Sequence, residues 1–508
     1  MGVDMKVNST QITVSNPSQI LIAGIFKGKN PQDQGGEVAV MDSALGGLIT
    51  RVLQEEEHLF KGELGKTLTF RTGVSFPAQK MVLVGLGDEN KLDLNSMRQA
   101  SISAIKAAEK EKRESVSTTL HLQASSILPA EKVVQAMVES TSHALYKFDK
   151  YKSTNNPTNE VKTLTILTSS SSDLNTKIDA GARLGIITSG AQKLARDIAS
   201  EPANIMTPER VAEKAREIAK ENDLEIEILD REQCKKLGMG AFEAVTQGSN
   251  NPPQFVVIRY IPKNTPKEKV VIIGKGVTFD SGGLSIKTAE GMETMKSDKS
   301  GAGIVIGVMS TMKELHPDVA VTMIAPLVEN MTGGSASRPG DIIRAMNGKT
   351  IEILNTDAEG RLILADAISY AVMKEKPDKI IDLATLTGAC VAALGSDKAG
   401  VMSNSDDVAN KIIASGEATG EQMHRLIITE GQREGVKSPV ADLKNIARGQ
   451  PGAQVGFAFL EQFTNDPNNP EAPQVPLGHI DIAGPAWPKN ESWPTGFGTR
   501  TIIDLLNK

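Results

Sequence analysis

Two periodicities alternate along the chain. Short apolar or alternating runs at Gln11 to Val14, Ile20 to Ala23, Thr67 to Phe70, Met81 to Val84 and Thr118 to Leu122 read as strands. Between them, Val38 to Glu57, Ser96 to Lys112 and Pro129 to Phe148 have helical spacing and length, so this part predicts an α/β layer domain. Then come the polar stretch Lys152-Ser153-Thr154-Asn155-Asn156-Pro157-Thr158-Asn159, a strand-like run at Thr163 to Leu167, and Ser169-Ser170-Ser171-Ser172-Asp173. Proline- and serine-rich stretches of this kind mark linkers, and we place a boundary near residue 170.

A helix is predicted from Asp173 to about Ile198, with the Asp at an N-cap position. A second series follows: helix Pro208 to Lys220, then strands Leu224 to Leu229, Phe255 to Tyr260 and Val270 to Ile273. Helix Glu293 to Lys313, strands Val319 to Ile324 and Ile351 to Leu354, helix Leu362 to Met373 and strand Lys379 to Leu383 complete it. Strands separated by such helices predict a mixed, mostly parallel sheet covered on both faces, an αβα sandwich, with ligands beyond the carboxyl ends of its strands. The expected organisation is a small α/β domain over 1–168, a connecting segment and helix over 169–198, and a larger domain over 199–508.

Composition narrows the function classes. The 508 residues carry 56 Lys and Arg against 62 Asp and Glu, a net charge of −6, which disfavours nucleic acid as a main partner. The two cysteines, Cys234 and Cys390, are too few for a disulfide framework or a thiolate metal site, as expected of a reducing compartment. Met1 to Thr10 lacks the pattern of a secretory signal, and the apolar stretch Ile380 to Leu394 is too short and polar to span a bilayer, so the expectation is a cytoplasmic protein without a membrane partner.

The chemistry that stands out is acidic. There is no phosphate loop, no His-Glu-x-x-His and no Gly-x-Ser-x-Gly, and the six histidines are scattered. In Gly274-Lys275-Gly276-Val277-Thr278-Phe279-Asp280-Ser281-Gly282-Gly283-Leu284-Ser285-Ile286-Lys287 an apolar strand breaks into a glycine-rich loop presenting Lys275, Asp280 and Lys287. Asp298 follows near the start of the next helix. A second strand-turn-helix passage, Asn355-Thr356-Asp357-Ala358-Glu359-Gly360-Arg361-Leu362, places two carboxylates two residues apart, expected to point to one side of an extended turn. Singly, each acid could be a helix cap or a surface charge. Together, Asp280, Asp298, Asp357 and Glu359 at adjacent strand ends would repel strongly unless cations sit among them, and an oxygen-rich set suits divalent ions.

These two passages resemble the paired motifs of the leucyl (cytosol) aminopeptidases, peptidase family M17. The resemblance extends through Glu201-Pro202-Ala203-Asn204, Arg338-Pro339-Gly340-Asp341, Ala384-Thr385-Leu386-Thr387-Gly388-Ala389, His479-Ile480-Asp481-Ile482-Ala483-Gly484 and Thr495-Gly496-Phe497-Gly498-Thr499-Arg500, so it covers essentially all of 175–508. It implies an aminopeptidase that removes leucine and other neutral residues from free peptide amino termini in intracellular peptide turnover, using two divalent ions, manganese or zinc. One ion would take Asp280, Asp357 and Glu359, the other Lys275, Asp280, Asp298 and Glu359. Lys287 and Arg361 would be the catalytic cations, Arg361 holding a bicarbonate ion beside backbone groups around Leu386. An apolar pocket would include Met295, Thr385, Leu386 and Gly388, with Asn355 nearby. The resemblance further implies a macro-like fold for the first 168 residues and self-association as a homohexamer.

This chain departs from the common pattern at Lys299, where relatives usually carry an apolar residue, and at Leu477, where many have tryptophan. His479 reads as a structural histidine, because the implied ligand set is complete without it. A second reading is a scaffold or DNA-binding relative that keeps the fold with peptidase activity secondary. All seven implied ligand and catalytic residues are nevertheless present.

Overall fold

The computed structural model describes residues 6–11, 19–73, 76–153, 161–168 and 171–508. The predicted strand at 11–14 and the linker residues 154–160 and 169–170 lie largely or wholly outside the described residues. The chain divides into two compact units, Met1–Ser189 and Gly190–Lys508, the division falling inside the long helix Ser172–Ser200.

The first unit is built on a six-stranded sheet ordered Lys6–Gln11, Thr163–Thr168, Ser115–Thr118, Ile20–Ile25, Lys80–Gly85, Thr67–Arg71. Only the last pairing is antiparallel. Strand Ile20–Ile25 shows why both faces need helices: Ile20 and Ile22 pack in one core with helices Leu94–Lys110 and Ala130–Leu145, while Leu21, Ala23 and Ile25 pack in the other beneath Gly36–Ala44 and Leu48–Glu55.

Two expectations change here. The helix predicted over 38–57 is two helices, because Gly46 and Gly47 take φ of 62° and 78° and break the ladder. The strand predicted over 118–122 ends at Thr118 and gives way to helix Leu120–Ala124, which buries Leu120 and His121. Neither ring nitrogen of His121 has a hydrogen-bond partner among the described residues. Burial pushes its pKa down to about 3 from 6.5, so it is neutral in the fold and charges readily only in the unfolded chain. Stability from this group is therefore complete above pH 6.5 and falls on acidification toward pH 3, by ~1.4 kcal/mol per unit. Thermal unfolding between pH 7 and pH 5 should show a larger loss of midpoint for the native protein than for His121→Leu.

The second unit contains a nine-stranded sheet. Its strands run Met423–Arg425, Ala399–Ser403, Leu477–Asp481, Lys379–Ala384, Lys269–Gly274, Ala320–Asn330, Gln254–Tyr260 and Glu225–Leu229, and Gly276–Asp280 pairs alongside Ala320–Asn330. Most pairings are parallel, and alternate residues feed two cores: Val270, Ile272, Ile381 and Leu383 face one, Val271, Ile273, Ile380 and Ala384 the other. Helices Pro208–Glu221, Ser300–Met309, Asp406–Thr419 and Thr499–Leu506 cover the first face; Gly240–Thr246, Gly360–Tyr370, Gly388–Leu394 and Gly452–Leu460 cover the second. This is the expected αβα sandwich with a mixed, mostly parallel sheet. A separate three-stranded sheet joins Ile342–Arg344, Thr350–Glu352 and Leu443–Lys444. The helix predicted over 293–313 is interrupted: a 3₁₀ turn Met295–Lys299 leads into Ser300–Met309, followed separately by Met312–Leu315.

Candidate active site

Strand Lys269–Gly274 sits in the middle of the large sheet, and Lys275 follows it directly. The chain continues as Gly276–Asp280, which ends on Asp280 opposite Asn330. Two donors fix the Asp280 carboxylate: Asn330 Nδ2 at 2.8 Å and the Gly282 amide at 2.9 Å, both on Oδ1. Asp298 arrives on the 3₁₀ turn before helix Ser300–Met309. That helix comes close because Gly301 faces the sheet backbone: a Cβ there would lie 2.2 Å from the Leu383 carbonyl oxygen and 2.7 Å from the Lys275 nitrogen.

Asp357 and Glu359 lie between strand Thr350–Glu352 and helix Gly360–Tyr370. Asn445, far along the chain, holds this passage; its Oδ1 accepts from the Leu354 amide at 2.9 Å and its Nδ2 donates to the Asn355 carbonyl at 2.6 Å. Asn355 Oδ1 in turn accepts from the Asp357 amide at 2.8 Å. Thr356 joins the two acidic loops, donating to the Gly282 carbonyl at 2.7 Å and accepting from the Ser285 amide at 2.8 Å. The segment is a tight turn and Glu359 has helical backbone angles, so the extended turn read from the sequence is corrected, although both carboxylates do reach one cluster.

Oxygens of Asp280, Asp357 and Glu359 all lie within 4.8 Å of one another. Lys275 Nζ is 2.9 Å from Asp298 Oδ1 and 2.8 Å from Glu359 Oε1, and donates to the Thr385 carbonyl at 3.0 Å. Lys287 Nζ is 2.8 Å from Asp280 Oδ2 and also pairs with Asp357. Asp280, Asp298, Glu359 and Lys275 are buried, whereas the Asp357 side chain keeps 33% exposure and Lys287 18%, so the cluster opens on the side of those two.

Burial and mutual repulsion dominate the acids. Burial, then Asp280, push Glu359 up to about 8; burial, with Asp280 adding, pushes Asp298 up to about 6; Asp357 is raised as well. Burial pulls on Lys275 and Lys287 in the opposite sense, but the surrounding carboxylates outweigh it and hold both above the ordinary lysine range. Two ammonium groups among four carboxylates leave an excess of negative charge, and buried Asp298 Oδ2 has no hydrogen-bond donor among the described residues. A hard divalent cation answers both features, so the donor set fits the ions that the sequence motifs imply.

Arg361 opens the helix beside Glu359. It is buried, donates from one terminal nitrogen to the Asn445 carbonyl at 2.7 Å, and its Nε has no partner among the described residues. Burial lowers its pKa to about 10, which leaves it a cation at neutral pH. Thr385 belongs to the cluster through both its carbonyl and its hydroxyl, which donates to Asp298 Oδ1 at 2.7 Å. Leu386 presents its amide to Asp481. Met295 starts the Asp298 turn and is half-buried, and Gly388 is exposed at the start of helix Gly388–Leu394. Lys299 is fully buried, its ammonium donating to the carbonyls of Glu201 and Lys296, and burial brings its pKa down to about 7.

Asn330 and Asn445 escaped the sequence reading. Each works through backbone groups on distant loops, and a lone asparagine carries no spacing signal for that role.

The catalytic-domain model of the cytosol aminopeptidase family matches residues 193–503, and its N-terminal domain model matches 22–155. A "Probable cytosol aminopeptidase" of Nostoc punctiforme is 41% identical over 493 residues, covering 96% of each chain. Another from Sulfurihydrogenibium is 42% identical over 479 residues, covering 93% of this chain and 92% of its own. Among solved structures, a mutant tomato leucine aminopeptidase superposes with a TM-score of 0.85 at 32% identity, covering 99% of this chain and 96% of its own. The bottromycin maturation enzyme BotP in complex with Mn gives 0.83 at 28% identity, covering 96% and 99%. With the acidic cluster standing at the strand ends where the motifs lie, and with both domains matched, the chain belongs to the cytosol aminopeptidase family, the M17 peptidases.

Proposed function

We propose that this aminopeptidase is a dinuclear metalloenzyme releasing leucine and other neutral residues from peptides with a free amino terminus. The observation that carries the reading is the convergence of Asp280, Asp357 and Glu359 oxygens within 4.8 Å, beside a buried Asp298 oxygen that lacks a donor among the described residues. The residues that would hold one ion are Asp280, Asp357 and Glu359; those for the other are Lys275, Asp280, Asp298 and Glu359. Manganese or zinc suits these ligands, and BotP is a relative described in complex with Mn. Such ions, when bound, supply Lewis acidity and lower the pKa of water.

The protein's own groups account for the remaining steps. The Asp357 carboxylate on the open side, with Asp280 and Glu359 behind it, attracts the ammonium of a peptide terminus, which restricts attack to the first residue. Lys287, at that same opening, donates to the oxygen that becomes negative as the carbonyl turns tetrahedral. Arg361, whose Nε has no partner among the described residues, would hold an anion such as bicarbonate, which when bound would supply a general base. Met295, Asn355, Thr385, Leu386 and Gly388 would border the pocket for the apolar side chain. Lys275 could act as a ligand only as a neutral amine; its pKa is now raised by the carboxylates against the pull of burial, and divalent ions bound among those carboxylates would offset their charge. Intracellular peptide turnover as a cytoplasmic homohexamer is the physiological setting we propose. No helix among the described residues is long and apolar enough to cross a membrane.

A peptide panel tests this reading. Leu-Gly-Gly should be cleaved at its first bond and its amino-acetylated form should not, a difference of at least ~1000-fold in kcat/KM. Cleavage of both forms at similar rates, or release from the carboxyl end, would refute it.

A further inference from the structure

Parallel strands covered on both faces are normally apolar throughout. Two neighbouring strands at the centre of this sheet break that rule at one register position. Asp382 on Lys379–Ala384 stands opposite His479 on Leu477–Asp481; both are fully buried, and His479 Nδ1 lies 2.5 Å from Asp382 Oδ1. Their neighbours Ile380, Ile381, Leu383, Leu477 and Ile480 are ordinary core residues. A buried ionisable pair is costly compared with apolar packing of the same volume, so its presence calls for a use.

The same face carries a line of polar groups toward the site. Asp481 is two residues beyond His479 and so projects to the same side. Its carboxylate accepts from the amides of Leu386 at 3.2 Å, Thr387 at 3.4 Å and Ala483 at 3.1 Å, and from the Thr387 hydroxyl at 2.6 Å. The turn it grips follows Thr385, whose hydroxyl and carbonyl meet Asp298 and Lys275. Arg361 acts electrostatically on His479 from helix Gly360–Tyr370, and Asp481 acts on Arg361. The Phe457 ring centre lies 6.5 Å from that of His479, and Met402 pairs with His479 across the adjacent strand. Burial opposes a charge on His479, but Asp382 and Asp481 outweigh it and raise the pKa.

We propose that Asp382 and His479 are a positioning pair for catalysis: locked across two strands, they set Asp481 so that it holds the Leu386–Thr387 turn in register with Arg361 and Asp298. Neither residue touches substrate. The inference rests on the aminopeptidase reading above, and the experiment separates the two.

Leucine amide hydrolysis, bound metal and thermal unfolding are measured for the full-length, manganese-loaded protein and its variants. His479→Ala should lower kcat by ~100-fold, with KM within about threefold and metal content unchanged. His479→Asn, whose amide can still donate to Asp382, should recover most of that loss. Asp382→Asn, equal in size to the native residue, should also lower kcat while sparing KM, and it carries the test if His479→Ala does not fold. Adding Thr387→Val to His479→Ala should cost less than the two separate losses combined, because both act through Asp481. Phe457→Leu, which loosens packing at the same ring, should lower the unfolding midpoint with little effect on kcat. Equal kcat in native protein and His479 variants overturns the pairing alone, as does a loss that tracks thermal stability with no recovery by asparagine. Failure of the native protein to hydrolyse leucine amide overturns the aminopeptidase reading instead.

Discussion

Replacing Glu359 by alanine should abolish leucine release from a chromogenic amide, a fall of at least ~1000-fold in kcat/KM, while the fold survives. Glu359 is buried, sits 2.8 Å from Lys275, and shares the oxygen cluster with Asp280 and Asp357. In the proposed ligand set it serves both ions, so its removal disturbs each. It is also a buried acid raised to about 8, which means that its removal relieves repulsion with Asp280. The metal-free variant should therefore unfold at a temperature no lower than the metal-free native protein at pH 8.5. The sign follows from the shift: a carboxyl whose folded pKa is raised from 4.5 to about 8 contributes stability below 4.5 and loses it as pH rises through about 8. Activity assay and thermal unfolding on the same preparations check both halves. Residual activity above a few per cent of native would remove Glu359 from the site.

The second large effect comes from a residue without a functional group. Gly301→Ala should cost at least ~100-fold in activity and about 1–3 kcal/mol of stability. The added Cβ would meet the Leu383 carbonyl oxygen at 2.2 Å and the Lys275 nitrogen at 2.7 Å, both backbone atoms. Helix Ser300–Met309 must then move away from the sheet and carry the Asp298 turn with it, parting Asp298 from Lys275 and from Thr385. Gly303→Ala offers a milder comparison on the same helix, since its nearest atom would be the Ala195 carbonyl oxygen at 2.9 Å. Activity and unfolding midpoint should fall together for Gly301→Ala and less for Gly303→Ala.

Much of the site could be read from the chain because its acids are local to two strand-turn-helix passages. Lys275, Asp280 and Lys287 lie on one short passage, Asp357, Glu359 and Arg361 on the other, and glycines mark both. The αβα layering was equally accessible, since runs such as Val270 to Ile273 demand cover on both faces. What escaped depends on long-range backbone contacts. Asn445 holds a turn 90 residues away, and Asn330 reaches Asp280 across 50. His479 reads from sequence as a structural histidine; its pairing with Asp382 and the line it forms with Asp481 appear only when the register of two strands is known. Lys299 stands out as a departure from the common pattern; two carbonyls accept from its amine, while burial disfavours its charged form and lowers the pKa to about 7. At Thr118 to Leu122, β-branched and apolar residues mimic a strand, yet the strand stops at Thr118, so only its first position is correct.

The central claim is that divalent ions belong among Asp280, Asp298, Asp357 and Glu359, and calorimetric titration of the metal-stripped protein with Mn²⁺ tests it most directly. At pH 7 two ions per chain and net proton release are expected, because the Glu359 carboxyl, raised to about 8, and the ammonium of Lys275 must give up protons to become ligands, whereas Asp298, raised to about 6, is already mostly ionised. Affinity should strengthen between pH 6 and pH 8.5. Absence of binding, or binding without proton release that Glu359→Ala leaves untouched, would contradict it.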